Sequence, residues 1–587
     1  MSKLAGGLAS TPTGAVHTFG LARLRHRLLV PGISSSMLFW CAIAGLWGVA
    51  IAWRYRNFMN PDGISYLDIA DNVLRSGPSA LVNAHWSPFY PALIALWLLL
   101  FRPSPFHEFA SIHALNALLY FVTAVSFGYF LRQLRAASQP VVSSNLIEES
   151  IFFAFGYALF FHFMNTDNTA IVVSPDLLLA CGAFLSGGLF FQIMRGTDSR
   201  RPYIALGIVI AIGYLAKSLM LPAGIILLAV LAVPATPAVR HRRRLALAGL
   251  VMLVLSAPQI ALVSLHVGHV SISETGRLNY LWWVNGIRQF EGWTGTPGGD
   301  VPVHGPRTIL AKPKVLEFAQ PIPGTYPLWY DPAYWYAGAK PRTSLREQIH
   351  VIRSNLRFYH LIWPDLRYPL EGLVVLAVLA YAGRNRLRHP ELIFLIWPCA
   401  VLGMYALLFT EYRYAAPFLV LIWVAGYSAV LNRIDQAQRI LLVILVCVVL
   451  VPVFREFFAQ ERRISKPGSK ESPFTYAYLA PSQDPSEDAV VAQALQRSGT
   501  KAGDHIATVG PAFLDYFARI SRVRVIAEIE EPDEFWNAPL PAVQTAERVL
   551  AQAGAKILVA KDRPPGFQAG LWRKIEGTQY SMLRLNG

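Results

Sequence analysis

Residues 87–101, "SPFYPALIALWLLLF", decide how this chain is threaded. The stretch is apolar enough for a membrane, yet Pro88 and Pro91 interrupt its start and "RPSP" (102–105) closes it. A transmembrane helix needs roughly 17–25 apolar residues, so length alone leaves crossing and surface readings open. Charge separates them. Apolar runs occur at 36–55, 108–131, 149–165, 174–194, 203–216, 219–237, 245–266, 369–383, 391–410, 414–432 and 438–455. If 87–101 does not cross, the basic loops 132–135, 195–201, 240–244, 384–388 and 433–439 all fall on the side of the N-terminus. If it crosses, every one moves to the other side, against the cytoplasmic preference of Lys and Arg. We therefore read 87–101 as an interfacial or re-entrant helix, with eleven spans and a cytoplasmic N-terminus.

Composition agrees. The 587-residue chain is 54% hydrophobic and only 15% charged, against about 25% charged residues in soluble domains. The fold class expected is a polytopic α-helical membrane protein. Its net charge of +16 is accounted for largely by the basic loops that orient the spans, which removes the case for a nucleic-acid partner. Cys41, Cys181, Cys399 and Cys447 all lie inside apolar runs, so the polar segments hold no disulfide framework. Residues 1–35, with Lys3, Arg23, Arg25 and Arg27, read as a basic cytoplasmic N-terminus. No small-residue cleavage site follows them, so the first span is expected to be retained.

The membrane domain is expected over 36–455, with outer loops at 56–107 and 267–368. The second loop is rich in aromatics ("YLWWVNGIRQFEGW", "YPLWYDPAYWY"), which suits a segment lying on lipid headgroups. A polar linker, 456–485, leads to a globular segment, 486–587. There "DHIATVG", "RVRVIAEI" and "KILVAKD" read as strands, and "PAFLDYFARI" and "AVQTAERVLAQAG" as helices. The alternation predicts a small, partly parallel α/β domain on the outer face. It has no Gly-rich phosphate loop, so no nucleotide cofactor is expected.

The first outer loop opens with "NPDGISYLDIADNVLRSG" (60–77). Pro61 suits a first helical turn and Asn60 its cap. Helical spacing puts Asp62, Tyr66 and Ile69 on one face and Asp68 and Asp71 on another; the second pair reads as solvated. An acid in the first turn complements the helix dipole, which is one account of Asp62. "NAHWSPFYP" (83–91) then brings His85 and Trp86 to the interfacial helix. Asp167 and Asp176 flank the start of a later span, Lys217 sits in an apolar hairpin, and "TEYRYAAPF" places Glu411, Arg413 and Tyr414 at the start of another. Capping, snorkelling and local pairing each explain one of these residues. Ionisable groups at membrane depth are costly and tend to be functional, and here separated parts of the chain return them to one boundary.

These motifs, in this order, resemble the C-type glycosyltransferase superfamily, in the branch of protein O-mannosyltransferases and the lipid A aminoarabinose transferase. The resemblance covers about 36–455 and rests on "PDGISYLDIADNVLRSG", "HWSPFYPALIAL", "SPDLLLACGAFL", "GYLAKSLMLP" and "EYRYAAPF". It implies transfer of a sugar from a polyprenyl-phosphate donor to an outer-face acceptor, which is a protein, a lipid or a polysaccharide. By motif position Asp62 is the expected general base, and Asp176 a second acid orienting acceptor or a metal. Lys217 and Arg413 are expected at the donor phosphate, with Tyr66, His85, Asp167, Glu411 and Tyr414 around the substrates. His85 departs from the acid–lysine–proline pattern of the aminoarabinose branch, so that branch's phosphate or metal contact is not carried over; phosphate, acceptor, metal or a helix-capping role all remain open for it. No obligatory cofactor is expected, and a divalent metal is left open. The expected location is a bacterial inner membrane, with the C-terminal domain periplasmic. The competing classes are a transporter or flippase of lipid-linked sugars and a non-catalytic membrane scaffold. Transporters tend to carry inverted repeats and midplane sites, whereas this chain shows no evident repeat and its ionisable residues gather at one boundary.

Overall fold

The computed structural model describes residues 34–138, 146–165, 171–196, 198–234, 236–290, 292–296, 299–318, 321–361, 390–431, 451, 485–564, 566–567 and 572–585. Asp167, the expected spans 369–383 and 438–455, and most of the linker 456–485 lie outside them.

Among the described residues the membrane region consists of α1 (Ser35–Arg54), α2 (Pro61–Ser76), α3 (Phe89–Phe101), α4 (Glu108–Ser138), α5 (Leu146–Asn165), α6 (Asp176–Met194), α7 (Arg201–Ala216), α8 (Met220–Leu231), α9 (Arg242–Val267), α10 (Leu345–Leu361), α11 (Pro390–Leu407) and α12 (Tyr412–Leu431). Six of these (α1, α4, α5, α6, α9 and α11) are long and apolar enough to cross a membrane. They pack chiefly in pairs, α4 along α6, α9 along α7 and α1 along α4. Helix α3 has 13 residues, about 20 Å at 1.5 Å per residue. That is short of the roughly 30 Å hydrocarbon core. It ends at Arg102, whose φ of 45° turns the chain back.

Helix α2 is fixed to the bundle at its start. Pro61 begins it and Gly77, at φ 89°, ends it. Asn60 does not cap it through a side-chain bond. Its Oδ1 instead accepts from the Val173 backbone N–H at 2.8 Å, clamping α2 to the turn before α6. Gly63 serves the same approach, because a Cβ there would lie 2.5 Å from the Met59 sulfur and 2.9 Å from Val173 Cβ.

The soluble part is one seven-stranded sheet drawn from two distant regions. The long loop supplies β1 (Arg307–Ala311) and β2 (Lys314–Glu317), and the C-terminal segment supplies β3 (His505–Val509), β4 (Arg524–Ile529), β5 (Ile557–Lys561), β6 (Arg573–Lys574) and β7 (Tyr580–Arg584). The order is β1-β2-β4-β3-β5-β7-β6. Strand β3 runs parallel to β4 and β5, and the other pairs are antiparallel. Helix α13 (Pro485–Arg497) precedes β3, and α14 (Leu540–Gln552) joins β4 to β5. Val543, Ala546 and Leu550 recur at helical spacing on the buried face of α14 and pack on Ala507, Ile526 and Leu558 of the sheet.

This sheet locks onto α2 through Arg519, which is 2% exposed. Its guanidinium donates to Glu108 at 2.9 and 2.8 Å and to Asp68 at 2.8 Å, and pairs with Asp71 at 2.8 Å. Arg522 adds contacts to Asp71 at 3.0 Å and Glu108 at 2.7 Å. Asp68 also accepts from the Thr325 N–H at 2.7 Å and hydroxyl at 2.8 Å. The expectation that Asp68 and Asp71 face solvent is therefore corrected. Spacing placed them on the face opposite Asp62, but a folded domain covers that face. Burial alone would raise the Asp71 carboxyl; Arg519 and Arg522 outweigh it and hold it below the usual carboxylate range.

Removing one partner from a buried ion network costs about 3–5 kcal/mol. Arg519→Met is accordingly expected to lower the melting temperature of the purified protein clearly more than Arg522→Met, since Arg522 is the more exposed of the two. Equal, small shifts would show that the network does not hold the domain.

A second test uses pH. Burial and the neighbouring Asp515 push Asp488 up to about 8, and burial pushes Asp515 to about 6. Raised carboxyls stabilise fully below their unfolded value near 4 and lose that stabilisation as pH rises through the folded value. Melting temperature is thus expected to fall by several degrees, on the order of the shift that 1–2 kcal/mol produces, between about pH 5 and pH 8. Asp488→Asn should flatten that slope, which a melting series across pH reads directly.

Candidate active site

Asp62, Tyr66, His85, Asp176, Lys217, Glu411, Arg413 and Tyr414 line one cavity of about 360 Å³. They arrive from the first two turns of α2, the segment before α3, the first residue of α6, the α7–α8 hairpin and the start of α12.

Arg413 is the hub. Its Nη2 lies 3.2 Å from Asp62 Oδ2, its Nη1 3.5 Å from Asp176 Oδ2, and its Nε bonds Glu411. The same Nη2 reaches the Tyr414 hydroxyl at 3.2 Å. Lys217 bonds the other Asp176 oxygen and sits 3.6 Å over the Tyr414 ring, a cation–π contact. Asp176 also accepts from the Ser174 hydroxyl at 2.7 Å. Lys217 thus does not snorkel away, and Asp176 does more than begin a helix. The second oxygen of Asp62 accepts from Trp329 Nε1 at 3.2 Å, so the carboxylate is oriented from both sides.

His85 stands on the aromatic wall, 4.4 Å from Trp86 and 5.7 Å from Trp282 by ring centroids. Burial pushes it down to about 4 against the pull of Asp331. Its imidazole is neutral at ordinary pH and offers a hydrogen bond, not a charge, to a ligand. Among the described residues its Nδ1 has no hydrogen-bond partner.

The aromatic loop segments do not lie on headgroups. Trp282 and Trp329 are 5% and 4% exposed and wall the cavity together with Phe290. Phe513, from the soluble sheet domain, joins them at 3.8 Å from Phe290 and 5.5 Å from Trp329. Composition flagged these aromatics, but their spacing carries no sign of which surface they cover. Phe513 gave no signal beyond one apolar residue in a short helix.

A resident divalent cation does not fit the donor set. Every cavity carboxylate already faces Arg413 or Lys217. Among the described residues no group of three or more His, Cys, Asp or Glu side chains is placed to hold a metal ion.

This architecture, a bundle of apolar helices with short helices in its first loop and a separate sheet domain, is similar to that of solved structures. In particular, the chain resembles ArnT from Cupriavidus metallidurans bound to undecaprenyl phosphate. The match has 12% identity and a TM-score of 0.50, covering 93% of this chain and 98% of that one. The apo state of the same protein gives 12% identity over the same shares and 0.49. The Archaeoglobus fulgidus oligosaccharyltransferase in complex with Zn and sulfate gives 12% identity and 0.47, over 89% of this chain and 68% of that one. No protein-family model and no curated protein sequence matches the chain.

The buried pairing makes a specific demand on stability. Asp176→Leu should destabilise the protein by about 3 kcal/mol, since it leaves Lys217 facing an apolar wall. The double variant Asp176→Leu/Lys217→Met should recover part of that loss. A thermal-unfolding double-mutant cycle reads the coupling, and strictly additive losses would contradict it.

Proposed function

We propose that this chain is an integral-membrane glycosyltransferase that moves a sugar from a polyprenyl-phosphate-linked donor to an acceptor hydroxyl. The observation that carries the reading is the meeting of Asp62 with Lys217 and Arg413 in one cavity beside the apolar helices. A lipid-phosphate donor is amphipathic, so its reacting end belongs where polar groups meet a membrane boundary. The acceptor oxygen attacks the anomeric carbon, and the carbon–oxygen bond to the phosphate breaks. The phosphate leaves with the bonding electrons, towards Arg413 and Lys217. The acceptor proton passes to Asp62. A single displacement of this kind inverts the anomeric centre.

Arg413 links the two halves of this chemistry. Without donor it holds Asp62 Oδ2. A phosphate that draws the guanidinium towards itself frees that oxygen for the acceptor hydroxyl, while Trp329 keeps Oδ1 in place. Asp176 and Glu411 position the cations, and Tyr66, His85 and Tyr414 line the substrate space. The acceptor is a protein, lipid or polysaccharide hydroxyl. The cavity side is assigned to the periplasmic face of a bacterial inner membrane, with a cytoplasmic N-terminus.

The test is transfer from a labelled polyprenyl-phosphate sugar by reconstituted protein. Asp62→Asn should reduce turnover by about 10²–10⁴, the usual worth of general acid–base catalysis, with donor binding retained. Full transfer by that variant would remove Asp62 from the base role.

A further inference from the structure

Helix α10 stands outside the cavity and takes no part in the chemistry proposed above, yet its surface is organised. One side holds the bundle: Gln348 donates to Leu407 O at 2.6 Å, Asn355 to Ala406 O at 3.0 Å, and Tyr359 to Leu402 O at 2.8 Å. At 100° per residue the next stripe is apolar and uncovered, with Leu345 77%, Ile349 38% and Leu356 53% exposed. About 100° further round runs a cationic stripe, Arg346, His350, Arg353 and Arg357, at intervals of four, three and four residues, all exposed.

An interfacial helix needs an apolar stripe that dips below the headgroups and cations beside it at headgroup height. α10 has both, next to a protein-bound side that keeps it against α11. Among the described residues no carboxylate forms an ion pair with any of the three arginines. Basic side chains on the far side of a membrane run against the topological preference, which calls for a local reason to keep them. We infer that α10 is a docking surface for the anionic phospholipid headgroups of the leaflet on the cavity side.

The helix also reaches the site. Phe358 packs on Tyr412 at 4.9 Å, and the Thr410 hydroxyl donates to Tyr359 at 3.2 Å. The carbonyls held by Gln348 and Asn355 belong to the corner that leads into Leu408, Phe409 and Glu411 of the cavity wall. Bound headgroups would therefore steady the turn that presents Arg413. The lipid contact itself does not rest on the transfer reading.

The experiment is lipid retention by the full chain, purified in detergent with equal phosphatidylglycerol and phosphatidylcholine and analysed by native mass spectrometry. Wild type should keep phosphatidylglycerol preferentially. Arg346→Gln/Arg353→Gln/Arg357→Gln should lose the preference by roughly fivefold per arginine, on the order of a hundredfold in all. These side chains are exposed, so folding should survive, and an unchanged melting temperature would verify it. Arg200→Gln/Arg201→Gln, also exposed, lowers net charge elsewhere and should keep the preference. Equal retention by wild type and the triple variant would overturn the inference. So would a variant that loses only added polyprenyl phosphate while keeping phosphatidylglycerol, because the stripe would then serve the donor.

Discussion

Two guanidinium groups and three carboxylates hold the halves of this molecule together, and Arg519, Asp68 and Glu108 among them are almost wholly removed from water. Ions in such surroundings are expensive to desolvate, and a network that met only part of its demand would be worse than an apolar contact. Here Arg519 is satisfied by Asp68, Asp71 and Glu108 at once, and Thr325 takes up what Asp68 has left. The sheet domain is thereby fixed in orientation, which an apolar interface of the same size would specify less sharply. Because Asp68 and Asp62 lie on opposite faces of one short helix, whatever fixes the first also fixes the second.

The cavity is consequently a joint product. Its charged floor comes from α2, α6, α12 and the α7–α8 hairpin, and its aromatic wall from the long loop and Phe513. Arg413 shares its donors among three carboxylates and a phenol. Such a hub ties separated parts of the chain to one guanidinium.

Much of this was readable from residues, and the limits have physical causes. Apolar runs announced the helices because hydrocarbon tolerates little else for that length. Asp176, Lys217 and Arg413 stood out because charges at a membrane boundary are conspicuous. Asp68 and Asp71 misled because helical spacing tells which residues share a face but not what lies opposite. Arg519, in "FARISRVR", looks like any solvated cation until the chain folds and buries it. The tryptophans of the long loop had the composition of a membrane belt, and aromatic rings suit a cavity wall equally well. Strands β1 and β2 escaped notice because the register of β2 is set by β4, more than two hundred residues away.

That pairing bears on the order in which the molecule can be assembled. Strand β2 finds its backbone partners only when Val315, Leu316 and Glu317 meet Ile529, Glu528 and Ala527. A ladder between segments so distant must await the emergence and folding of the later one. Trp329 packs on Phe290, and Phe513 completes their packing from the late segment. During synthesis the charged floor is complete once Arg413 has emerged, whereas the aromatic wall still waits for Phe513 from the last part of the chain. An unfinished polypeptide would hold its reactive groups in an open, wet basin.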